Sequence, residues 1–173
     1  MDVSEFTDLL QQHAGLIHKI AHAYCRNATD REDVVQEIAV QLWRARARYD
    51  ERFRQTTWIY RIALNVAISF YRRERRHRER RLPLAGHLLA VSTEVVPGEE
   101  VQQLMRCIDE LGPLDKALVL LSLDGHDHQS IADVLGISVS NVGTKLGRIR
   151  DKLRVALAQR PRPNPLEEPN APR

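Results

Sequence analysis

Trp58, Arg61, Asn65, Ser69, Arg72 and Arg76 recur at three- and four-residue spacing within "WIYRIALNVAISFYRRERR". At ~100° per residue they fall on one helical stripe roughly 80° wide. The stripe carries an indole ring, a carboxamide, a hydroxyl and three guanidinium groups in a line. Aromatic rings stack on unpaired bases, amides bond base edges, and arginine holds phosphate. That chemistry suits unstacked nucleic acid. Ile59, Ile62, Ala63, Val66 and Phe70 fall on the other side, where a core is expected. The competing reading is a solvated face with Trp58 tucked inward. The helix runs into "RRERRHRERR" (72–81), seven Arg against two Glu, which adds Arg73 and Arg75 to the cationic end. A block of that sign favours a phosphate-bearing partner.

A second constellation is "SIADVLGISVSNVGTKLGRIR". Ala132 allows close helix approach, and Gly136, four residues later, suits a tight turn. Val139, Val142, Leu146, Ile149 and Leu153 form a narrow apolar arc on the following helix. Ser140, Asn141, Thr144, Lys145 and Arg148 face the other way. This is the layout of a helix-turn-helix, whose second helix enters the major groove of duplex DNA. An ordinary helical hairpin is the plainer alternative. Gly143 and Gly147 interrupt the recognition helix, each costing ~1 kcal/mol in a helix interior.

A third surface has the opposite character. Asp33, Gln36, Glu37 and Gln41 lie together with Arg44, opposite Val34, Ile38 and Leu42. DNA phosphate repels carboxylates, so this face is expected to meet a protein. A merely solvated face is the alternative.

His18, His22 and Cys25 stand at i, i+4 and i+7, a spacing that zinc ligands can use. No fourth ligand is evident, and helix packing is the preferred reading. His126 and His128 read as surface or cap residues. There is no nucleophile elbow, phosphate loop or paired-carboxylate signature, so neither an enzyme nor a cofactor or metal is expected.

Elements must hold these surfaces, and composition divides the chain to supply them. All nine aromatic residues lie between Phe6 and Tyr71, whereas all eight prolines lie from Pro83 onward. The expected fold is all-α: two small helical domains joined by a flexible linker, the second containing the helix-turn-helix. The divisions are 1–81, the linker 82–100, 101–159, and a Pro-rich tail 160–173 read as disordered. Phe6, Leu9, Leu10, His13, Ile17, Ile20 and Tyr24 share helical spacing, and the next helix starts near Thr29 or Asp30 as N-cap. Gly125 is the expected C-cap of "LDKALVLLSLDG". The net charge is +3 and the two cysteines make no disulfide framework. No apolar run approaches the ~20 residues of a membrane span. An acidic start without an apolar signal core argues against export, so a cytoplasmic protein is expected.

Taken in order, "DREDVVQEIAVQLWRARARYD", "WIYRIALNVAISFYRRERR" and "SIADVLGISVSNVGTKLGRIRDKL" resemble a bacterial RNA polymerase sigma factor of the extracytoplasmic-function group. The resemblance covers about residues 5–158. It implies that Asp33, Gln36, Glu37 and Gln41 dock on the clamp coiled coil of core RNA polymerase. It implies that Trp58, Arg61, Asn65, Ser69, Arg72, Arg73, Arg75 and Arg76 melt and read single-stranded minus-ten promoter DNA. Asn65 matches the position that recognises a flipped base. Ser140, Asn141, Thr144, Lys145 and Arg148 would bind the minus-thirty-five duplex, in a domain that also contacts the polymerase flap. An anti-sigma factor is a further implied partner, and no membrane insertion is expected. The family usually carries an aromatic three residues before the tryptophan; here Gln55 stands there, with Phe53 two earlier. Two rivals remain at this stage: a helix-turn-helix regulator acting without polymerase, and a metal-binding helical protein.

Overall fold

The computed structural model describes residues 2–50, 52, 54–80, 104 and 106–158. The expected linker 82–100 and tail 160–173 lie outside the described residues. Every regular element among the described residues is helical.

The first half opens with α1 (Val3–Gln12), α2 (Ala14–Tyr24) and α3 (Ala28–Ala45). A capping box starts α1: Asp2 accepts from the Glu5 amide at 2.9 Å while the Asp2 amide donates back to Glu5 at 2.8 Å. The single apolar period from Phe6 to Tyr24 proves to be two helices. The chain breaks at His13, whose ψ of 12° leaves the helical path, and Gly15 just beyond it is a weak helix former. The expected start of α3 is also corrected. Asn27 is the N-cap, accepting from the Asp30 amide at 2.7 Å and donating to the Asp30 carboxylate at 2.8 Å. Thr29 and Asp30 thereby become helical residues.

After a 3₁₀ turn (Arg46–Arg48), α4 runs from Gln55 to Arg80. The basic run therefore continues the same helix as the stripe through Arg80. Ile59, Tyr60, Ala63, Leu64, Ala67 and Ile68 form its buried side.

In the second half, residues 106–109 are helical, and α5 (Pro113–Leu123) follows with Gly112 as N-cap and Pro at its start. A proline there sacrifices no helical hydrogen bond. Asp124 is the C-cap, one residue before the expected Gly125, which follows it in the left-handed conformation at φ +79°. Then come α6 (His128–Leu135) and α7 (Val139–Ala158). Gly136 joins them at φ +67°, where a Cβ would strain the backbone, and its amide closes on Ala132 at 2.8 Å. Ala132 is buried, as the close approach of the two helices requires.

The halves share a seam. Buried side chains of both belong to one contiguous core, and α4 packs against α2, α3, α5 and α6. The seam carries directed polar contacts as well. Tyr24 donates to the Pro113 carbonyl at 2.7 Å, and Lys116 to the Ala23 carbonyl at 2.9 Å. Lys19 donates to both Asp124 oxygens, at 2.6 and 2.5 Å, and Tyr60 donates to the same carboxylate at 2.5 Å.

Candidate nucleic-acid and docking interface

The stripe on α4 lies on the side away from the core. Arg61, Asn65, Ser69, Arg72, Arg73, Arg75 and Arg76 are exposed while Ala63, Leu64, Ala67 and Ile68 are buried. One helix thus serves two solvents, as the 3.6-residue period dictates. Arg73 lies 5.3 Å over the Phe70 ring, which holds its stem along the helix. Arg76 folds back to the Arg72 carbonyl at 3.3 Å.

Trp58 is half-buried at the head of the stripe. Its ring meets Tyr49 at 5.1 Å between centroids, tilted by 50°. The two rings line a pocket of about 300 Å³ with Arg48, Asp50, Thr57, Arg61 and, from the helix-turn-helix, Asp133. Tyr49 and Arg48 went unnoticed in the sequence because the turn before α4 has no period. The available signal was compositional: "RARARY" alternates cations with small residues and ends on an aromatic. Tyr49 places a ring beside Trp58 in a chain that has Gln55 three positions before it.

A larger groove of about 840 Å³ runs between α3 and α4. Asp33, Gln36, Glu37 and Gln41 line one wall; Asn65, Ser69 and Arg73 line the other. Two sets read separately in the sequence therefore share one depression. Its floor is apolar, with Val34, Ile62, Val66 and Phe70, and Val40 at the rim is 41% exposed. Gln41 donates to Glu37 at 2.6 Å, fixing both along α3.

In the helix-turn-helix, Ser138 caps α7 by accepting from the Asn141 amide at 3.2 Å. Ser140, Asn141, Thr144 and Arg148 are exposed together. Thr144 turns its hydroxyl back to the Ser140 carbonyl at 2.9 Å. Lys145 departs from the set: it is half-buried, 4.0 Å from Asp115 on α5. A Cβ on Gly143 would meet the His128 ring at 3.6 Å, and one on Gly147 would meet nothing.

The histidine and cysteine set does not converge. His18 and His22 are exposed, His22 sits 2.7 Å from the Arg31 guanidinium, and Cys25 is buried. Burial, reinforced by the Asp30 charge, pushes the Cys25 thiol up to about 12, so it is protonated at neutral pH. No cluster of three His, Cys, Asp or Glu among the described residues is placed to hold a metal. His126 is a seam residue as well, its ring edge-on to Tyr60 at 4.9 Å, where a surface or cap position was expected. No described helix is long and apolar enough to cross a membrane.

Comparison with known proteins covers both halves. The Sigma-70 region 2 family model matches residues 9–77, and the Sigma-70 region 4 model matches residues 101–153. The RNA polymerase sigma factor CnrH of Cupriavidus metallidurans is 32% identical, over 88% of this chain and 86% of its own length. The ECF RNA polymerase sigma factor SigE of Mycolicibacterium smegmatis is 27% identical over 88% of this chain, which spans 61% of SigE. The solved structure of CnrH in complex with the cytosolic domain of CnrY superposes with a TM-score of 0.66 at 26% identity, covering 91% of this chain and 90% of that one. The sigma factor RpoE of Bartonella quintana, solved with the anti-sigma factor NepR, shares the fold with a TM-score of 0.71 at 15% identity over 92% of this chain and all of that one. A regulator resembling the family only in its helix-turn-helix would leave residues 9–77 unmatched. With both regions present in order, the chain belongs to the RNA polymerase sigma factors of the extracytoplasmic-function group.

Proposed function

We propose that the chain directs promoter-specific initiation through three surfaces with separate tasks. The α4 stripe reads melted minus-ten DNA: Trp58 stacks, Asn65 and Ser69 bond base edges, and Arg61, Arg72, Arg73, Arg75 and Arg76 hold the strand backbone. Asp33, Gln36, Glu37 and Gln41 dock on the clamp coiled coil of core RNA polymerase. Ser140, Asn141, Thr144 and Arg148 bind the minus-thirty-five duplex, Lys145 being turned toward Asp115, with the same domain on the polymerase flap. Residues 1–81 and 101–159 act as the two recognition domains, with 82–100 as the connection and 160–173 as a tail. The site of action is the cytoplasm, and the chain has no enzymatic step of its own.

The observation that carries this reading is the unbroken exposed line from Arg61 to Arg76 beside a ring pair, on a helix whose other side is core. Unpaired bases offer faces to rings, and their backbone offers charge to guanidinium groups. CnrH, a relative, was solved with the cytosolic domain of CnrY. An anti-sigma protein is accordingly the proposed regulatory partner.

In vitro transcription with core polymerase and a library of promoters tests the reading. Full-length protein is expected to start transcripts at a discrete promoter class. A protein that binds duplex promoters yet starts none would be a regulator, and the reading would fail.

A further inference from the structure

The recognition helix is bare along one flank, and a side chain from a different helix fills part of the gap. At ~100° per residue, Gly143 and Gly147 fall together on α7, between the buried arc of Val142, Leu146 and Ile149 and the exposed face that begins at Ser140. Neither glycine supplies a side chain to that flank. His128, the first residue of α6, covers the Gly143 end. Its ring atoms Cε1 and Nδ1 stand 3.6 and 3.7 Å from where a Gly143 Cβ would be, which is ordinary contact distance. A long side chain at 143 would need the place the ring occupies.

The imidazole is packed on one side and open on the other. His128 is exposed, and among the described residues no hydrogen bond engages either ring nitrogen. An imidazole carries at least one N–H whether neutral or protonated, so it has a donor to offer. The neighbouring Asp127 carboxylate is committed as the N-cap of α6, accepting from the Ser130 amide at 2.7 Å. Arg150, two turns beyond Gly143 on the same flank, is exposed. On the opposite flank Lys145 is turned toward Asp115 on α5 at 4.0 Å.

The dimensions of duplex DNA say what such a flank meets. A helix roughly 10–12 Å across nearly fills a major groove about 12 Å wide. The middle of its outer face then meets base edges, and its flanks meet the phosphate backbones. A flank of glycines lets one backbone come close, and the open edge of His128 is the donor standing there.

We propose that His128 donates to a backbone phosphate of the minus-thirty-five duplex, a contact made from the first helix of the motif across the Gly143 gap. This rests on the proposed duplex-binding role of α7. The contact adds affinity without sequence preference, because backbone phosphates carry no base information.

The test uses full-length protein bound to core polymerase. A promoter library randomised across the minus-thirty-five region yields duplexes that the unmodified holoenzyme prefers and duplexes that it does not, and both serve as fluorescent probes. His128→Ala is expected to weaken binding to both kinds by the same several-fold factor. His128→Phe keeps a ring against Gly143 but has no N–H, and should lose as much. His128→Arg restores a donor with a fixed charge, so affinity should recover and the log–log salt slope should steepen by up to roughly 0.9. The comparison of Phe with Arg carries the test should His128→Ala lose helicity by circular dichroism. Binding retained by His128→Phe would make the ring a packing element, and a loss confined to preferred duplexes would place it on a base edge; either result overturns the phosphate contact. Arg148→Ala is the reference for the reading face. If it weakens binding while His128→Ala does not, only the His128 contact falls. If it changes nothing and no preferred sequence emerges, the duplex-binding reading of α7 falls and takes this contact with it.

Discussion

Lys116, 4% exposed, donates to the Ala23 carbonyl at 2.9 Å and to Asp109 at 2.8 Å, tying α5 to the last turn of α2. Carbonyls in a helix's last turn have no partner within the helix, so this lysine satisfies an acceptor the fold would otherwise leave open. Its ammonium also lies 5.8 Å from the Tyr24 ring. Lys116→Met keeps the packing volume but removes the donor. Part of the loss is offset because an ammonium no longer has to be desolvated. The expected net destabilisation is about 1 kcal/mol, read as a lower urea midpoint at unchanged slope.

Asn65 stands exposed on α4, facing the groove shared with Asp33 and Glu37. Asn65→Ala should not lower thermal stability, because alanine is the better helix former and no buried contact is lost. Affinity for melted minus-ten strands is expected to fall for one base at one position, by ~1–3 kcal/mol, with other positions unchanged. Binding of a set of single-base variants measures this. A uniform loss across all variants would mean that Asn65 reads no base.

Arg72 and Arg76 lie one helical turn apart on the exposed side of α4. Backbone contacts carry no sequence information, so Arg72→Gln with Arg76→Gln should weaken every strand by the same factor. Two lost phosphate contacts should also reduce the log–log salt slope for single strands by roughly 1.4. Titrations between low and moderate salt check both. A changed base preference would place these arginines on base edges instead.

How far the sequence disclosed these features depended on whether a local period carried them. Val34, Ile38 and Leu42 are all at or below 1% exposure, and the α4 stripe stands outside from Arg61 to Arg76, while Trp58 at its head is half-buried against the core. Gly136 takes the left-handed turn its position demanded. Helix ends were less legible, since Asn27, Thr29 and Asp30 are all competent caps and only backbone geometry selects Asn27. The break at His13 hid inside an apolar pattern that both helices continue. The seam was not legible at all. Lys19 and Asp124 are 105 residues apart, and no spacing rule pairs a surface lysine with one carboxylate among many. Tyr49 escaped for a related reason: it belongs to a turn, and its partner Trp58 is set by how that turn folds back.

The acid behaviour of the seam follows from its two titratable partners. Burial works to raise the Asp124 carboxyl, but hydrogen bonds from Lys19 and Tyr60 and the Lys19 charge outweigh it and hold the group below its ordinary 3.8. Tyr60 moves the opposite way: burial, then the hydrogen bond to Asp124 and that carboxylate's charge, raise its phenol above 10.0. Unfolding returns each to its ordinary value. Asp124 then takes up protons near and below 3.8, so its contribution is whole above that pH and is lost as pH falls through the depressed value. Tyr60 contributes fully below 10.0 and loses its share as pH climbs through the raised value. Between those limits the Asp124–Tyr60 bond is at full strength. The stability difference between the unmodified protein and Asp124→Asn should therefore shrink on acidification below 3.8. Urea midpoints of both proteins across this range measure it. A difference that grew in acid would mean that the packed carboxyl binds its proton more tightly than the free one, contrary to the Lys19 and Tyr60 contacts.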